Sequence, residues 1–148
     1  MSLLSQTNLV GFADIRTQAI EDWQQYRIEG QQYLNLAERA YQKENKTFTT
    51  EILYNLIAMG IEKLVMSNLM AIGRLPYNHT MHDLVAALEE WLPDTVRGLE
   101  DPIRNLDSYQ DICDPYTATI KIPTAAEIET MLLLARQLEQ RLAASESN

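Results

Sequence analysis

The segment from Ile52 to Ile72 constrains the fold most, because it is apolar on nearly every side. Fifteen of its 21 residues are apolar. A helix that is apolar all round has to be contacted by protein on several sides or by lipid. Glu62 and Lys63 lie at its centre, and each would cost on the order of 3 kcal/mol at the middle of a bilayer. The segment therefore predicts the central helix of a protein bundle, running over Thr50 to Gly73, and no membrane association.

The composition agrees with long helices in one domain. Glycine and proline number five each among 148 residues, which is about 7% where average usage is roughly 12%. The length suits a single domain over residues 1–148. A lone cysteine, Cys113, excludes an intrachain disulfide and a multi-thiolate metal site, so we expect a reducing, cytoplasmic location. The net charge of −9 disfavours non-specific binding to DNA.

The remaining helices are predicted from apolar spacing and from capping residues. One apolar stripe from Asp14 to Lys43 predicts an amphipathic helix of about 30 residues. Later helices are predicted over Met81–Trp91 (capped by Thr80), onward from Asp101-Pro102, and from the Thr124 and Glu127 capping box to about Ala143. The stretch Cys113 to Pro123 is interpreted as an extended connector. The predicted fold is thus all-α, an antiparallel bundle of four to five helices ordered over about residues 14–143, with a frayed tail over 144–148.

Short motifs follow one another in a specific order along these helices. They are Ile61-Glu62-Lys63-Leu64, Ile72-Gly73-Arg74, His82-Asp83-Leu84-Val85-Ala86-Ala87-Leu88, Leu106-Asp107-Ser108-Tyr109 and Pro123-Thr124-Ala125-Ala126-Glu127-Ile128. This order resembles the HEPN domain, a helical-bundle family found beside minimal nucleotidyltransferases and among toxin ribonucleases. The resemblance covers roughly residues 33–142. It implies a nucleotidyltransferase partner protein, a nucleotide or RNA ligand, or a place in a nucleotide- or RNA-linked toxin–antitoxin or defence system.

The chain departs from the family where catalysis would be expected. Many members similar to it carry Arg-Tyr-Pro where this chain has Cys113-Asp114-Pro115. The ribonuclease branches have an Arg, four to six residues and a His, and Arg74 with His79 satisfies that spacing. An Arg can hold a phosphate through two hydrogen bonds while a His moves a proton from a ribose 2′-hydroxyl. Pro76, however, interrupts the pair within a loop. We therefore expect a non-catalytic binding or interaction module without a cofactor, the alternative being a metal-independent ribonuclease that uses Arg74 and His79.

Glu62 and Lys63 are candidate ligand or interface residues because they are charged within an apolar helix. Burying an unpaired charge is very costly, so each needs a partner or a route to solvent. Arg27 and Arg104 lie on mainly apolar faces and are the candidate partners within the chain. The structural alternative is that both side chains reach the surface at the edge of the bundle.

His82 and Asp83 are further candidate ligand or interface residues. Together with His79 they invite a metal interpretation, but zinc needs three or four ligands, and the chain has only two His and one Cys. We therefore predict no metal site, and His82 is then expected to pack in the first turn of its helix. Because the long first helix would expose Tyr and Trp side chains, we also expect a homodimer that covers part of that face.

Overall fold

The structure is a computed structural model that describes residues 18–109 and 121–146, and every regular element in these ranges is a helix. The elements are α1 (Trp23–Gln42), α2 (Thr50–Ala71), α3 (Met81–Trp91), α4 (Pro93–Val96), α5 (Glu100–Arg104), a 3-10 helix (Asn105–Tyr109) and α6 (Ala125–Glu146). The all-α class is confirmed for the described residues. The described residues contain six α-helices, more than the predicted four to five, because Leu92 leaves helical geometry and Gly98 turns the chain at φ 83°.

Helix α2 is the central helix, packed against α1, α3 and α6. Among the described residues it is also the one helix that is long and apolar enough to cross a membrane. However, 67% of its most apolar 18-residue stretch is buried inside the structure. A core helix passes the same test. Leu64, in its middle, is 4% exposed, and Ile57 and Ile61 are fully buried. The central position predicted for this segment is therefore observed.

The three long helices do not all run antiparallel to one another. The amide of Ile20 donates to the carbonyl of Met70, and the hydroxyl of Ser67 donates to the carbonyl of Trp23, each over 2.7 Å. From the first contact to the second, the residue number increases on the α1 side and decreases on the α2 side, so α1 and α2 are antiparallel. The guanidinium of Arg136 in α6 binds Glu38 of α1.

Helices α2 and α6, in contrast, run parallel. Their first residues, Thr50 and Ala125, line one cavity, and the side-chain amide of Asn68 near the end of α2 donates to the carbonyl of Leu142 near the end of α6, over 2.8 Å. The chain returns along the bundle through α3, α4, α5 and the 3-10 helix before α6 begins. The hydroxyl of Tyr54 accordingly donates to a carbonyl of the 3-10 helix, that of Leu106, over 2.7 Å.

Several helix ends differ from their predicted positions. Helix α2 ends at Ala71 instead of Gly73, and the helix predicted from Asp101-Pro102 begins at Glu100 and becomes a 3-10 helix after Arg104. Helix α1 begins at Trp23, since Asp22 has a left-handed φ of 71°, whereas the prediction placed its start at Asp14, outside the described residues. Helix α6 continues past Ala143 to Glu146, where Arg27 of α1 forms an ion pair with the last residue of the helix. Most of the predicted connector, residues 113–120, and the last two residues of the predicted tail lie outside the described ranges.

Candidate functional site

The loop between α2 and α3, residues 72–80, carries both residues of the ribonuclease alternative and is fixed at each end. At its start, Gly73 has φ 74°, its amide donates to the carbonyl of Met70, and the amide of Arg74 donates to that of Leu69. This pattern is a Schellman motif, which a glycine permits. At the end of the loop, the hydroxyl of Thr80 caps α3 by accepting a hydrogen bond from the amide of Asp83 over 3.1 Å.

Arg74 and His79 contact different helices. The guanidinium carbon of Arg74 lies 3.7 Å from the ring centroid of Trp91, the last residue of α3. The Nδ1 atom of His79 lies 2.5 Å from a carboxylate oxygen of Glu62, in the middle of α2. His79 precedes the first residue of α3 by two positions, and the 11 residues of α3 span about 16 Å. The two side chains are therefore placed towards opposite ends of α3 and do not meet in this chain.

Glu62 thus serves to attach the loop to α2. Its side chain is 33% exposed and that of His79 is 61% exposed, so the pair lies at the surface. Glu62 reaches solvent at the edge of the bundle, as the structural alternative expected. Surface ion pairs contribute little stability on their own, but this one joins a loop to a helix 17 residues earlier in the chain.

Lys63 pairs with α1 and not with the loop. Its ammonium lies 2.7 Å from a carboxylate oxygen of Glu29 and 4.2 Å from the ring centroid of Tyr26. The bond to Glu29 raises the pKa of Lys63, and the same bond lowers the pKa of the Glu29 carboxyl. Lys63 and Glu29 therefore both stay charged over the whole physiological pH range, and their opposite charges cancel.

The partners suggested from sequence for these two charges, Arg27 and Arg104, are wrong. Arg27 pairs with Glu146 and stacks on Trp23. Arg104 binds Glu89 of α3 over 2.7 Å and Asp101 of its own helix over 3.2 Å. Arg27 thus joins α1 to α6, and Arg104 joins α5 to α3.

His82 and Asp83 hold the start of α3. The carboxylate of Asp107 in the 3-10 helix accepts hydrogen bonds from the amides of Met81, over 2.9 Å, and His82, over 3.0 Å, and its Oδ2 lies 2.5 Å from Nδ1 of His82. The Thr80 hydroxyl also donates to the carboxylate of Asp83 over 3.1 Å. The capping role of Thr80 is as predicted. Asp107 was not singled out as a site residue, although it lies in one of the motifs that carry the resemblance.

The same loop exposes two large apolar side chains. Leu75 is 58% exposed and Tyr77 is 91% exposed, although they lie between the two anchored residues Arg74 and His79. Single exposed apolar residues are common on proteins. Here two of them lie on one short loop that is held by hydrogen bonds at both ends.

A second cluster lies where the 3-10 helix meets the start of α6. The hydroxyl of Tyr109, which is 8% exposed, donates to the carboxylate of Glu127, and the ammonium of Lys121 lies 4.7 Å from the Tyr109 ring centroid. Burial, together with the bond to Glu127, raises the pKa of Tyr109 to about 12. The same bond lowers the pKa of the Glu127 carboxyl. An adjacent groove of about 290 Å³ is lined by apolar residues such as Leu106 and Met131.

The glutamate of this cluster also begins α6. Its carboxylate accepts from the amide of Thr124, and its own amide donates to the hydroxyl of Thr124, each over 3.1 Å. The capping box predicted from sequence is therefore confirmed. Both carboxylate oxygens of Glu127 are engaged within the chain, one by Tyr109 and one by Thr124, so the cluster holds the start of the helix.

In the described residues, no group of three or more His, Cys, Asp or Glu side chains is arranged to hold a metal ion. Comparison with known proteins gives no matching family model, no matching curated protein and no matching solved structure.

Proposed function

We propose that this chain is a HEPN-like, non-catalytic binding module. It works with a partner protein of the nucleotidyltransferase kind, or within a nucleotide- or RNA-linked toxin–antitoxin or defence system. The observation that supports this proposal is the arrangement of the α2–α3 loop. Arg74 and His79 fasten the loop to α3 and α2, while Leu75 and Tyr77 remain exposed.

RNA cleavage would place different demands on Arg74 and His79. A general base must lie within hydrogen-bond reach of the 2′-hydroxyl, and the cation must contact the phosphate next to it. Arg74 contacts Trp91, the last residue of an 11-residue helix, whereas His79 lies just before the first residue of that helix and contacts Glu62 of α2; the helix is about 16 Å long. This placement argues against one phosphodiester contacting both groups in the same chain.

The arrangement of this loop suits binding to a partner better than it suits RNA cleavage. Ordering a flexible segment at an interface costs free energy, and a loop that is already fixed avoids most of that cost. Tyrosine is among the residues that most often dominate binding energy at interfaces. Tyr77 and Leu75 are therefore the residues of this module that we expect to contact its protein partner.

The first test is an RNA-cleavage assay on the purified chain with single-stranded RNA, with and without a chelator. We expect no cleavage above the buffer control, and no effect of Arg74→Ala or His79→Ala. An active ribonuclease should lose roughly 10²-fold or more in rate without its base. Chelator-resistant cleavage that both substitutions abolish, and that Arg97→Ala, a substitution of an exposed arginine in an ion pair with Asp94, leaves intact, would establish the ribonuclease alternative.

The second test measures binding directly. The chain is co-expressed with the product of the adjacent gene, and co-elution is compared for the wild type, Tyr77→Ser and the matched control Leu133→Ser on the exposed face of α6, where Leu133 is 69% exposed. We expect Tyr77→Ser alone to lose co-elution. Equal co-elution of all three proteins would contradict a role for the loop.

A further inference from the structure

A cavity of about 420 Å³ lies at the end of the bundle where α1 ends and where α2 and α6 begin. Helix α2 has 22 residues and is therefore about 33 Å long, so its whole length separates this cavity from the α2–α3 loop. Sites for small molecules in proteins commonly have volumes of about 300 to 1,000 Å³. The cavity is thus large enough for a small ligand, and it is distinct from the loop on which the proposed function rests.

One part of the cavity wall is apolar. Ala40 and Leu53 are 7% and 5% exposed, and Tyr41 and Phe48 pack against the hydrophobic core. Aliphatic and aromatic groups of this kind bind an apolar side chain of a ligand through the area that contact removes from water. Such a wall accepts many molecules, however, so the polar groups of the cavity decide which class of ligand fits.

Two residues of opposite charge, Glu44 and Lys46, line the same cavity, and both are exposed. Among the described residues, neither of these side chains has a partner in a hydrogen bond or an ion pair. Their Cα atoms are at most about 7 Å apart, because the two residues are two positions apart in the chain. A ligand with an ammonium and a carboxylate on one carbon can therefore contact both side chains.

Three other charged residues adjoin the cavity-lining residues in sequence, namely Arg39, Lys43 and Glu51. None of these three lines the cavity. Arg39 donates instead to the carbonyl of Asn35, over 3.4 Å, one turn earlier in α1. Within the described ranges, the charges that line the cavity are therefore one negative and one positive. They suit a ligand that is neutral overall but carries both signs.

The backbone of Glu44 has an unusual conformation for a residue with a side chain. Its φ is 49°, and the amides of Glu44 and Asn45 donate to the carbonyls of Tyr41 and Ala40, each over 3.1 Å. This is a Schellman motif, in which glycine is the usual residue at the left-handed position. A side chain there is disfavoured sterically. The chain thus places a carboxylate at a position where glycine would be less strained, and this carboxylate belongs to a residue that lines the cavity.

The surroundings of Tyr41 indicate where the ammonium of such a ligand is favoured. The hydroxyl of Tyr41 donates to a carboxylate oxygen of Glu129 over 3.4 Å. Burial raises the pKa of Tyr41, and the negative charges of Glu129 and Glu44 raise it further. Both carboxylates are therefore close enough to act on the Tyr41 hydroxyl, which makes this side of the cavity electrostatically negative. An ammonium is favoured on this side, and a carboxylate is favoured beside Lys46.

We propose that this cavity binds a free α-amino acid that has an apolar side chain. The ammonium of the ligand contacts Glu44, its carboxylate contacts Lys46, and its side chain packs against Phe48 and Leu53. A free amino acid is neutral overall, so the net charge of −9, which repels anions, does not oppose its approach. This inference is independent of the proposed function, because it uses no residue of the α2–α3 loop.

Heteronuclear NMR on the isotope-labelled full chain measures binding and its location together. The probes are L-phenylalanine, L-phenylalaninamide (which lacks the carboxylate), phenylpropanoate (which lacks the ammonium) and L-serine (which lacks the apolar side chain). We expect L-phenylalanine to shift amide signals between Tyr41 and Leu53, with a dissociation constant of about 1 mM. L-phenylalaninamide and phenylpropanoate should each bind about five-fold more weakly, and L-serine should give no shifts.

Two variants assign each charge of the ligand to its partner. Glu44→Gln should weaken the binding of L-phenylalanine about five-fold, but it should not weaken the binding of phenylpropanoate, which has no ammonium. Lys46→Gln should weaken the binding of L-phenylalanine to the same degree and leave that of L-phenylalaninamide unchanged. Lys43→Gln and Glu51→Gln are the matched controls, because these charges adjoin the cavity without lining it. Both controls should bind L-phenylalanine like the wild type.

Glu44→Gly separates loss of binding from loss of stability. Glycine removes the carboxylate and also relieves the left-handed backbone, so this variant should have a higher midpoint in urea denaturation than the wild type. It should nevertheless bind L-phenylalanine about five-fold more weakly. The proposal is overturned if L-phenylalanine at about 10 mM gives no shifts, if the three phenyl probes bind equally well, or if Glu44→Gln and Lys46→Gln bind like the two controls. The RNA-cleavage and co-elution experiments test the proposed function separately.

Discussion

Gly30 and Gly60 face each other where α1 crosses α2, and neither position has room for a Cβ atom. A Cβ on Gly30 would lie 2.8 Å from Cγ of Leu64 and 3.0 Å from the carbonyl oxygen of Gly60. A Cβ on Gly60 would lie 2.7 Å from Cδ2 of Leu34. The two glycines therefore set the distance between the helices, and with it the register that brings Glu29 beside Lys63.

Gly30→Ala should destabilise the protein. Alanine would gain up to about 1 kcal/mol of helix propensity, but overpacking a filled core costs about 1 to 3 kcal/mol, and the nearest atom is a branch point of buried Leu64. We expect a net loss of about 1 kcal/mol, measured by urea denaturation. Gln32→Ala, an exposed position on the same helix, is the control and should change stability by less than about 0.5 kcal/mol. A Gly30→Ala protein more stable than the wild type would contradict the observed crossing.

Leu64→Ala tests the central position of α2. Because Leu64 is 4% exposed, the substitution should cost about 2 to 5 kcal/mol through lost burial and a cavity. It should also make room for the methyl group of Gly30→Ala, so the double variant should be more stable than the sum of the single changes predicts. Denaturation of the four proteins of this cycle measures both effects. A loss below about 0.5 kcal/mol for Leu64→Ala, which is typical of surface sites, is the result that would refute a central α2.

Local signals explain why some helix boundaries could be predicted from sequence. Helix α3 has the predicted limits Met81 and Trp91, because Thr80 caps its start and Pro93 follows its end. The start of α6 was likewise given by the capping box of Thr124 and Glu127. Each of these signals involves only residues within a few positions of the helix end, so the helix boundary can be identified from the sequence alone.

The contacts of the candidate site depend on how distant elements pack, and the sequence does not reveal them. Arg74 and His79 match a short spacing pattern, but the ring of Trp91 and the carboxylate of Glu62, each 17 residues away, determine where their side chains go. The pairing of Lys63 with Glu29 depends in the same way on the register of α1 against α2. The sequence shows where these charged residues occur along the chain, but it does not show which residues they contact.

Asp107→Ala should weaken the attachment of α3 to the 3-10 helix. The Asp107 side chain is 9% exposed and accepts hydrogen bonds from the amides of Met81 and His82. Its removal leaves two amide donors at the helix start without their acceptor, for which a cost of about 1 to 3 kcal/mol is expected. Asp101→Ala, at a side chain that is 96% exposed, should have almost no effect. Equal stability of the two variants in urea denaturation would show that Asp107 does not cap α3.

The hydrogen bond from Tyr109 to Glu127 should make stability depend on pH in the alkaline range. The pKa of Tyr109 is raised to about 12 in the folded chain from an ordinary value of 10.0. A raised pKa means that the folded state holds the phenol proton more tightly than the unfolded state does. The stabilisation is therefore fully present below pH 10 and is lost as the pH rises from 10 through 12.

Urea denaturation of the wild type and Tyr109→Phe at several pH values between 8 and 12 measures this dependence. At pH 8 the wild type should be the more stable protein by on the order of 2 kcal/mol, since its phenol donates to an ionised carboxylate. The difference should shrink as the pH approaches 12, because the wild type alone then loses the proton of residue 109. Tyr77→Phe, at a hydroxyl on a side chain that is 91% exposed, is the matched control and should show no such trend. If the difference between wild type and Tyr109→Phe stayed constant over this range, the phenol would not be the group that the folded state protects from ionisation.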